Sequence, residues 1–304
     1  MPRKEYLRVD VFSDVPFCGN PLAVFPDADA LEPRQMQAIA REMNLSETVF
    51  CVRPTRPQAD LRLRIFTIDR ELPLAGHPTI GAVFALASTQ RLPLSGKNDV
   101  VWCELDAGVL PVEVESQAGV VGRVIMTQRE PRFGDAYARV ERVAAALGVP
   151  VAALCPGELP IRVVDTGIPW LIVPMVDLGG IRRIQPDTAR CMALASEVDT
   201  DGFYAFTQDA EDRGCAAHAR HVAFGTLTPG EDPATGSAAG CLASYLVGEG
   251  VVLASPNAEL VFEQGLEVRR PSRIEAFVET AGGRPQRVRV GGRCVLAGDG
   301  ALQL

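Results

Sequence analysis

The chain has 304 residues, which is enough for two ordinary domains with a core each. Its formal net charge is −8 and it has no run of basic residues, so we expect no nucleic-acid partner. No apolar stretch reaches the roughly 20 residues that span a bilayer, and the N-terminus lacks the apolar core of a signal peptide. We therefore expect a cytoplasmic protein with no membrane partner.

The first half of the chain predicts several strands and two helices. Strands are expected where apolar and polar residues alternate, at 6–12, 22–25, 49–52, 61–66, 100–104, 109–115 and 120–127. Pro33 suits the first turn of a helix whose apolar face holds Met36, Ile39, Ala40 and Met43. A second helix follows Gly76 and has almost no polar face, so it should be buried on all sides.

The second half predicts the same mixture of elements. Helices are expected near 139–147 and 187–195, and another wholly apolar helix should follow Gly236. Strands are expected near 161–164, 170–175, 203–207, 220–224, 260–263, 274–279 and 287–290, with a last hairpin at 293–304. Strands outnumber helices, which predicts an α+β fold.

The two apolar helices are preceded by loops that match each other. At one constant offset, the matched residues are Glu71 and Glu231, Pro73 and Pro233, and Gly76 and Gly236. Glycine and proline alone would mark ordinary turns between a strand and a helix. Two loops that agree in glutamate, proline and glycine instead predict a duplicated domain.

The starts of these helices are candidate anion sites. Gly236 allows a tight bend of the backbone, and Ser237 is the expected N-cap. Pro78 lies near the first helical position, where its missing N–H costs nothing. Because a buried helix must satisfy its first N–H groups without water, a bound carboxylate is a natural partner for them.

The eight cysteines give little indication of chemistry. Cys215, His218 and His221 recur at a spacing of three residues, but no second ligand group stands nearby, so we expect no metal. We expect both histidines at the surface or in a strand. Cys18 should lie in a loop without a catalytic role. The remaining predictions place four cysteines in the core, namely Cys51, Cys103, Cys241 and Cys294.

Several motifs resemble the PhzF family of phenazine-biosynthesis-like proteins. They are residues 17–24, 45–48, 76–79, 231–239, 264–265 and 270–272. The resemblance implies two pseudo-symmetric domains, each a curved β-sheet or barrel wrapped around a central buried helix, as in diaminopimelate epimerase. These domains would be 1–124, joined by the strands at 290–304, and 125–289. The resemblance also implies a site between the domains, a homodimer, no cofactor, and a small carboxylate as substrate.

The same resemblance implies the site residues. Glu47, His77 and Asp232 would be catalytic. Gly76, Gly236 and Ser237 would bind the substrate. Racemases and epimerases of this fold carry a cysteine just before each loop glycine, and here those positions are Ala75 and Thr235. Neither side chain can act as an acid or base at neutral pH, so a two-thiol mechanism would need another cysteine.

Glu47 would move a proton between two carbons of the substrate, first as base and then as acid. A glutamate has an ordinary pKa of about 4.3, so this role needs desolvation. From the residues alone, a glutamate hydrogen-bonded to backbone at a helix–strand junction is the simpler interpretation. The helix dipole should disfavour the cationic form of His77. Asp232 would hold a substrate amino group or orient His77, whereas a solvated aspartate and a capping serine are the structural alternatives for Asp232 and Ser237.

Two stretches depart from the family pattern, and both concern the substrate more than the fold. Residues 221–225 stand where the family usually has an Arg-x-Phe-x-Pro-like stretch. Arg269 stands where the family has the glycine of a Gly-Arg-Pro-Ser stretch. Three functions stay open. The first is a cofactor-independent isomerase of an amino or hydroxy acid, related to the isomerisation of dihydro-hydroxyanthranilate. The second is an epimerase or racemase that does not use two cysteines, and the third is a non-catalytic small-molecule-binding protein.

Overall fold

The structure, a computed structural model, describes residues 3–154, 159–224, 231–254 and 256–304. Within these residues it is a mixed α+β fold with sixteen strands and six α-helices. The chain divides into two compact units. The first unit comprises residues 1–126 and 291–304, and the second comprises residues 127–290. That each unit is an epimerase-like domain stays a prediction.

The first unit carries two helices, α1 (Pro33–Met43) and α2 (Gly76–Ser88). Its strands are β1 (Arg3–Val11), β2 (Asn20–Phe25), β3 (Thr48–Val52), β4 (Leu61–Phe66), β5 (Glu71–Leu72), β6 (Asn98–Leu105), β7 (Gly108–Gln117) and β8 (Val120–Thr127). They pair in the order β1-β2-β3-β4-β6-β7-β8, and β5 adds to β4. The pairs β2–β3 and β4–β6 are parallel, and the other pairs along this order are antiparallel.

The second unit carries α3 (Val140–Leu147), α4 (Leu178–Arg182), α5 (Thr188–Val198), α6 (Gly236–Gly248) and a short 3₁₀ helix at Val151–Ala153. Its strands are β9 (Arg132–Ala136), β10 (Arg162–Asp165), β11 (Pro169–Pro174), β12 (Gly202–Thr207), β13 (Ala217–Val222), β14 (Asn257–Gln264) and β15 (Ser272–Ala281). These strands pair in chain order. The last strand, β16 (Arg284–Gln303), begins in this unit and ends in the first.

The two units repeat one pairing pattern. The parallel pairs β2–β3 and β4–β6 of the first unit correspond to β11–β12 and β13–β14 of the second. In both units the apolar helix lies in the chain between the strands of the second parallel pair. A matching ion pair precedes each of these helices, Arg64 with Glu71 and Arg220 with Glu231, and each joins two guanidinium nitrogens to two carboxylate oxygens. This repeated pattern is the one that the two matched loops predict.

The two apolar helices are buried, as their sequences predict. In α2 every residue from position 77 to 87 is buried, and the helix packs against β1, β2, β3, β4 and β7. In α6 the same holds from position 238 to 247, with β10, β11, β14 and β15 around it. Because neighbours cover these helices all around, an apolar residue is favourable at almost every position. The closure of either sheet into a barrel stays a prediction.

The predicted hairpin at 293–304 is wrong, because these residues form the second half of β16. They pair antiparallel with β1 along its whole length, from Arg3 opposite Gln303 to Val11 opposite Cys294. Gly300 in this part of the strand has a packing reason. A Cβ at Gly300 would lie 2.6 Å from the hydroxyl oxygen of Tyr6. The sequence also failed to indicate β5, β9 and α4; α4 begins where the Asp177 carboxylate accepts the N–H of Gly180 at 2.7 Å.

In the part of the chain that the structure describes, no helix combines the length and the apolar character needed to cross a bilayer.

Candidate active site

Glu47 lies at the junction between α1 and β3 of the first unit. The helix ends at Asn44, whose left-handed conformation (φ 49°) turns the chain, and β3 starts at Thr48. This short connection leaves Glu47 with 8% of its surface exposed. The sequence predicts a helix–strand junction at this position, and the structure adds that the carboxyl group of Glu47 is buried there.

His77 is the second residue of α2 and is also buried. Its Nε2 lies 3.3 Å from Oε2 of Glu47, and its Nδ1 lies 3.4 Å from the side-chain amide nitrogen (Nδ2) of Asn20. Asn20 is the first residue of β2 and has no exposed surface. The first unit therefore brings together two of the predicted catalytic residues. It adds Asn20, which belongs to one of the sequence motifs but has no predicted role.

Burial lowers the pKa of His77 to about 3. The imidazole is therefore neutral at physiological pH, as the sequence predicts. The pKa of His77 is lowered by the loss of solvation in the core of the unit rather than by the helix dipole. A neutral imidazole beside a carboxylate can donate one hydrogen bond to it without fixing a positive charge in the site.

Gly76 begins α2 in a helical conformation, and a Cβ built on it would meet no atom within 4 Å. The preceding residue, Ala75, has no side-chain group to cap the helix. The first N–H groups of α2 thus receive no side-chain cap, and the space in front of Gly76 is open. The conformation itself does not require glycine at this position.

Asp232 of the second unit is buried and held by three contacts. The hydroxyl of Thr235 donates to its carboxylate at 2.7 Å. Its own backbone N–H donates to Nδ1 of His221 at 3.1 Å, and its carbonyl accepts from the amide nitrogen of Gln264 at 2.7 Å. The carboxylate is therefore not a solvated surface group.

Gln264, the last residue of β14, fixes the loop that carries Asp232. Its side-chain oxygen accepts the N–H of Thr235 at 3.0 Å and the hydroxyl of Tyr204 at 2.8 Å. Both partners are buried, and Tyr204 lies on β12. Sequence reasoning noted Gln264 only as part of a motif and missed Tyr204, because the contact joins residues far apart in the chain.

The predicted N-cap Ser237 is wrong, because α6 begins at Gly236 and its N-cap is Thr235. Ser237 is the second residue of the helix, and its hydroxyl oxygen accepts the indole N–H of Trp170 at 3.2 Å. The hydroxyl of Thr235 donates a hydrogen bond to Asp232 and does not cap the helix. Ala75 and Thr235 stand at the positions where the sequence comparison expects the two cysteines of a racemase. They are the N-caps of α2 and α6.

The prediction of a strand position for His218 and His221 is confirmed, but neither is at the surface. Both lie on β13, which is almost wholly buried. Burial lowers the pKa of His221 to about 4. His218 contacts Glu263 at 2.8 Å and Glu267 at 3.0 Å through its two ring nitrogens. Burial opposes the protonation of His218, but the hydrogen bonds to the two carboxylates outweigh it and raise its pKa.

Two further features lie apart from the predicted site residues. In the described ranges, no group of three or more His, Cys, Asp and Glu side chains could hold a metal ion. A polar cavity of about 510 Å³ in the first unit is lined by the pairs Arg62–Glu104 and Arg64–Glu71, and by Arg56 and Asp106. It contains neither Glu47 nor His77, so its size does not make it the better candidate for proton transfer.

Solved structures share this fold widely. A hydroxyproline epimerase of Agrobacterium vitis superimposes with a TM-score of 0.65 at 14% identity, over 99% of this chain and 91% of that one, which shows the fold alone. The Bacillus anthracis phenazine biosynthesis protein of the PhzF family superimposes with a TM-score of 0.91 at 27% identity, over 100% of both chains.

The chain belongs to the phenazine biosynthesis-like (PhzC-PhzF) family, whose sequence model matches residues 9–300. A Mesorhizobium japonicum protein, named as an uncharacterized isomerase, is 35% identical over 99% of each chain. The trans-2,3-dihydro-3-hydroxyanthranilate isomerase of Pseudomonas fluorescens is 34% identical over 98% of this chain and 99% of the relative. The predicted family is confirmed, and the predicted class, an isomerase, is the class that these relatives carry in their names.

Proposed function

We propose that the chain is a cofactor-independent isomerase that moves a proton between two carbons of a small amino or hydroxy acid. Its family membership and the names of its relatives support this class. The observation that carries the proposal is the contact of 3.3 Å between the buried Glu47 and His77. The substrate to test first is trans-2,3-dihydro-3-hydroxyanthranilate, on which the Pseudomonas fluorescens relative is named to act.

In the proposed reaction the carboxylate of Glu47 takes a proton from one carbon of the substrate. The electron pair of the broken C–H bond moves into the adjacent double bond, which shifts along the substrate. The Glu47 carboxyl group then returns the proton to a second carbon. Substrate and product are isomers, so the atoms and electrons balance with no electron acceptor. The neutral His77 is placed to donate a hydrogen bond to the Glu47 carboxylate before it takes the proton and after it returns it.

We propose Asp232, Gly236 and Ser237 as further substrate contacts, together with Gly76. Asp232 carries a buried carboxylate suited to a substrate amino group, and its position is fixed by Thr235. The N–H groups at the start of α6 and the hydroxyl of Ser237 are suited to a carboxylate. The homodimer stays an expectation from the family.

Deuterium incorporation tests the proposal. The purified protein is incubated with the dihydro-hydroxyanthranilate in D₂O, and the product is analysed by NMR and mass spectrometry. We expect a shifted double bond, with the migrating hydrogen either retained within the molecule or replaced by one deuteron. An inverted stereocentre without a shifted double bond would show an epimerase. Tight binding with neither hydrogen exchange nor isomerisation would overturn the proposal and show a binding protein.

Asp232→Asn separates binding from proton transfer. The amide keeps the size of the side chain and removes its charge, so the affinity for the substrate should fall together with the rate. Asp209, an exposed aspartate after β12, offers a matched control as Asp209→Asn. Equal affinity in Asp232→Asn and the wild-type protein would remove Asp232 from the proposed site.

A further inference from the structure

Asn20 is a buried polar residue whose position is closely determined by the backbone. It is the first residue of β2 and lies opposite Val11 in the antiparallel pair with β1. The preceding Gly19 has a left-handed conformation (φ +67°), and a Cβ there would lie 2.3 Å from the carbonyl oxygen of Val11. Only glycine fits this turn, so the turn fixes the place at which the side chain of Asn20 enters the core.

The orientation of the side-chain amide of Asn20 sets the direction of its contact with His77. The amide nitrogen of Asn20 is a donor and lies 3.4 Å from Nδ1 of His77, so Nδ1 is the acceptor. The imidazole is neutral in its buried position, and a neutral ring carries a single proton. That proton is therefore on Nε2, the nitrogen that lies 3.3 Å from Oε2 of Glu47.

We propose that Asn20 is a positioning residue that holds His77 in the Nε2–H tautomer, in which the protonated ring nitrogen is the one nearest Glu47. The consequence for catalysis rests on the proposed function, whereas the tautomer itself does not. In this tautomer His77 stabilises the carboxylate of Glu47. In the other tautomer a lone pair of Nε2 would face the carboxylate and repel it, so more of Glu47 would be protonated and unable to take a proton from the substrate.

The variant Asn20→Asp reverses the direction of the contact at constant shape. A carboxylate only accepts hydrogen bonds, so it draws a proton to Nδ1 of His77, in either the Nδ1–H tautomer or the cation. Asn98→Asp makes the same substitution at an exposed residue that also begins a strand, β6, and serves as the control. Asn20→Ala removes the contact and leaves either tautomer available.

The protonation state of each ring nitrogen is measured by long-range ¹H–¹⁵N NMR of protein labelled with ¹⁵N-histidine. The chain has only 3 histidines, and His77→Gln identifies the signals of His77. In the wild-type protein we expect an unprotonated Nδ1 and a protonated Nε2 for His77. Asn20→Asp should protonate Nδ1, Asn20→Ala should give a mixture of tautomers, and Asn98→Asp should match the wild type.

An Nδ1–H tautomer in the wild-type protein would overturn the proposal even if the Asn20 variants fail to fold. An unprotonated Nδ1 in a folded Asn20→Asp variant would overturn it as well. These spectra need no substrate, so a protein that isomerises nothing can still confirm the tautomer, and an active protein can still refute it. For an active protein, loss of a hydrogen bond to a charged group corresponds to a roughly ten- to hundredfold lower kcat for Asn20→Asp, with KM nearly unchanged.

Discussion

Oε2 of Glu47 lies 3.3 Å from Nε2 of His77, and both side chains are buried in the same unit. Glu47 comes from the end of a helix–strand connection and His77 from the first turn of the buried helix α2. This contact places a carboxyl group beside a neutral imidazole, away from water. It is the arrangement on which the proposed proton transfer depends.

The first prediction concerns Glu47→Gln. The amide keeps the shape of the side chain but cannot accept and return a proton. General acid–base catalysis contributes about 10²–10⁴-fold, so turnover of the proposed substrate should fall by at least that order. The dissociation constant should change much less. Both are measured by steady-state kinetics and calorimetric titration.

Glu42→Gln is the matched control, because Glu42 is an exposed glutamate near the end of α1. It should keep wild-type turnover. Circular dichroism establishes that both variants are folded. A folded Glu47→Gln with near wild-type turnover would make Glu47 a structural residue, and the proposed mechanism would be wrong.

The second prediction uses the open space before Gly76. Gly76→Ala places a methyl group where no atom lies within 4 Å, in a helical conformation that alanine favours. The free energy of unfolding should therefore stay the same or rise by up to about 1 kcal/mol. Ligand affinity should fall, since the methyl group occupies the space through which a ligand would reach the first N–H groups of α2. Gly236→Val tests ligand affinity at the start of α6, but it gives no matching test of stability because Gly236 is buried.

Gly81→Ala in the same helix should give the opposite result. Its methyl group would lie 2.6 Å from Cδ2 of Leu22 and 2.7 Å from Cγ2 of Val11. Overpacking of this kind costs about 1–3 kcal/mol, which urea denaturation measures. Unchanged ligand affinity in Gly76→Ala would count against an anion site at this helix.

The third prediction is that no cysteine is catalytic. Burial raises the pKa values of Cys103, Cys241 and Cys294 to about 12, so these thiols should react slowly with iodoacetamide. Cys18 is only half-buried and should react sooner. Neither its alkylation nor Cys18→Ser should lower turnover appreciably. If activity instead disappears in step with modification of Cys18, a thiol-dependent racemase mechanism becomes the better explanation.

The fourth prediction concerns the buried His218 and its two carboxylate partners, Glu263 and Glu267. His218→Gln leaves one buried and one partly buried carboxylate without their cation, which should lower the free energy of unfolding by about 3–5 kcal/mol. The folded state raises the pKa of His218 above its ordinary value of about 6.5. The stabilisation is therefore fully present below about pH 6.5 and is lost as the pH rises through the raised pKa.

Urea denaturation of the wild-type and variant proteins between pH 5.5 and 9 measures this difference. The gap between their free energies of unfolding should be largest near pH 6 and should narrow as the medium becomes alkaline. Glu267→Gln, which removes one of the two carboxylate partners, should flatten the same slope. A gap that stays constant with pH would show that His218 is not charged in the folded protein.

The sequence by itself predicts much of the local structure. Alternating residues give β4 with its observed bounds, Leu61–Phe66, and Pro33 gives the start of α1. The unbroken apolar character of α2 and α6 predicts their burial, and the matched loops before them predict a repeated topology. These features follow from the periodicity of apolar residues and from the residues that start and end helices, and both act over a few residues of chain.

Only the tertiary structure decides features that depend on distant partners. Residues 293–304 form a strand rather than a hairpin because β1 supplies their hydrogen bonds and Tyr6 fills the space beside Gly300. His218 and His221 are buried because both faces of β13 are covered, which a short strand cannot indicate. Asn20 meets His77 across 57 residues of chain. The sequence thus determines most of the elements and the family. The long-range contacts of the fold decide which polar side chains meet, since each contact depends on partners supplied by other elements.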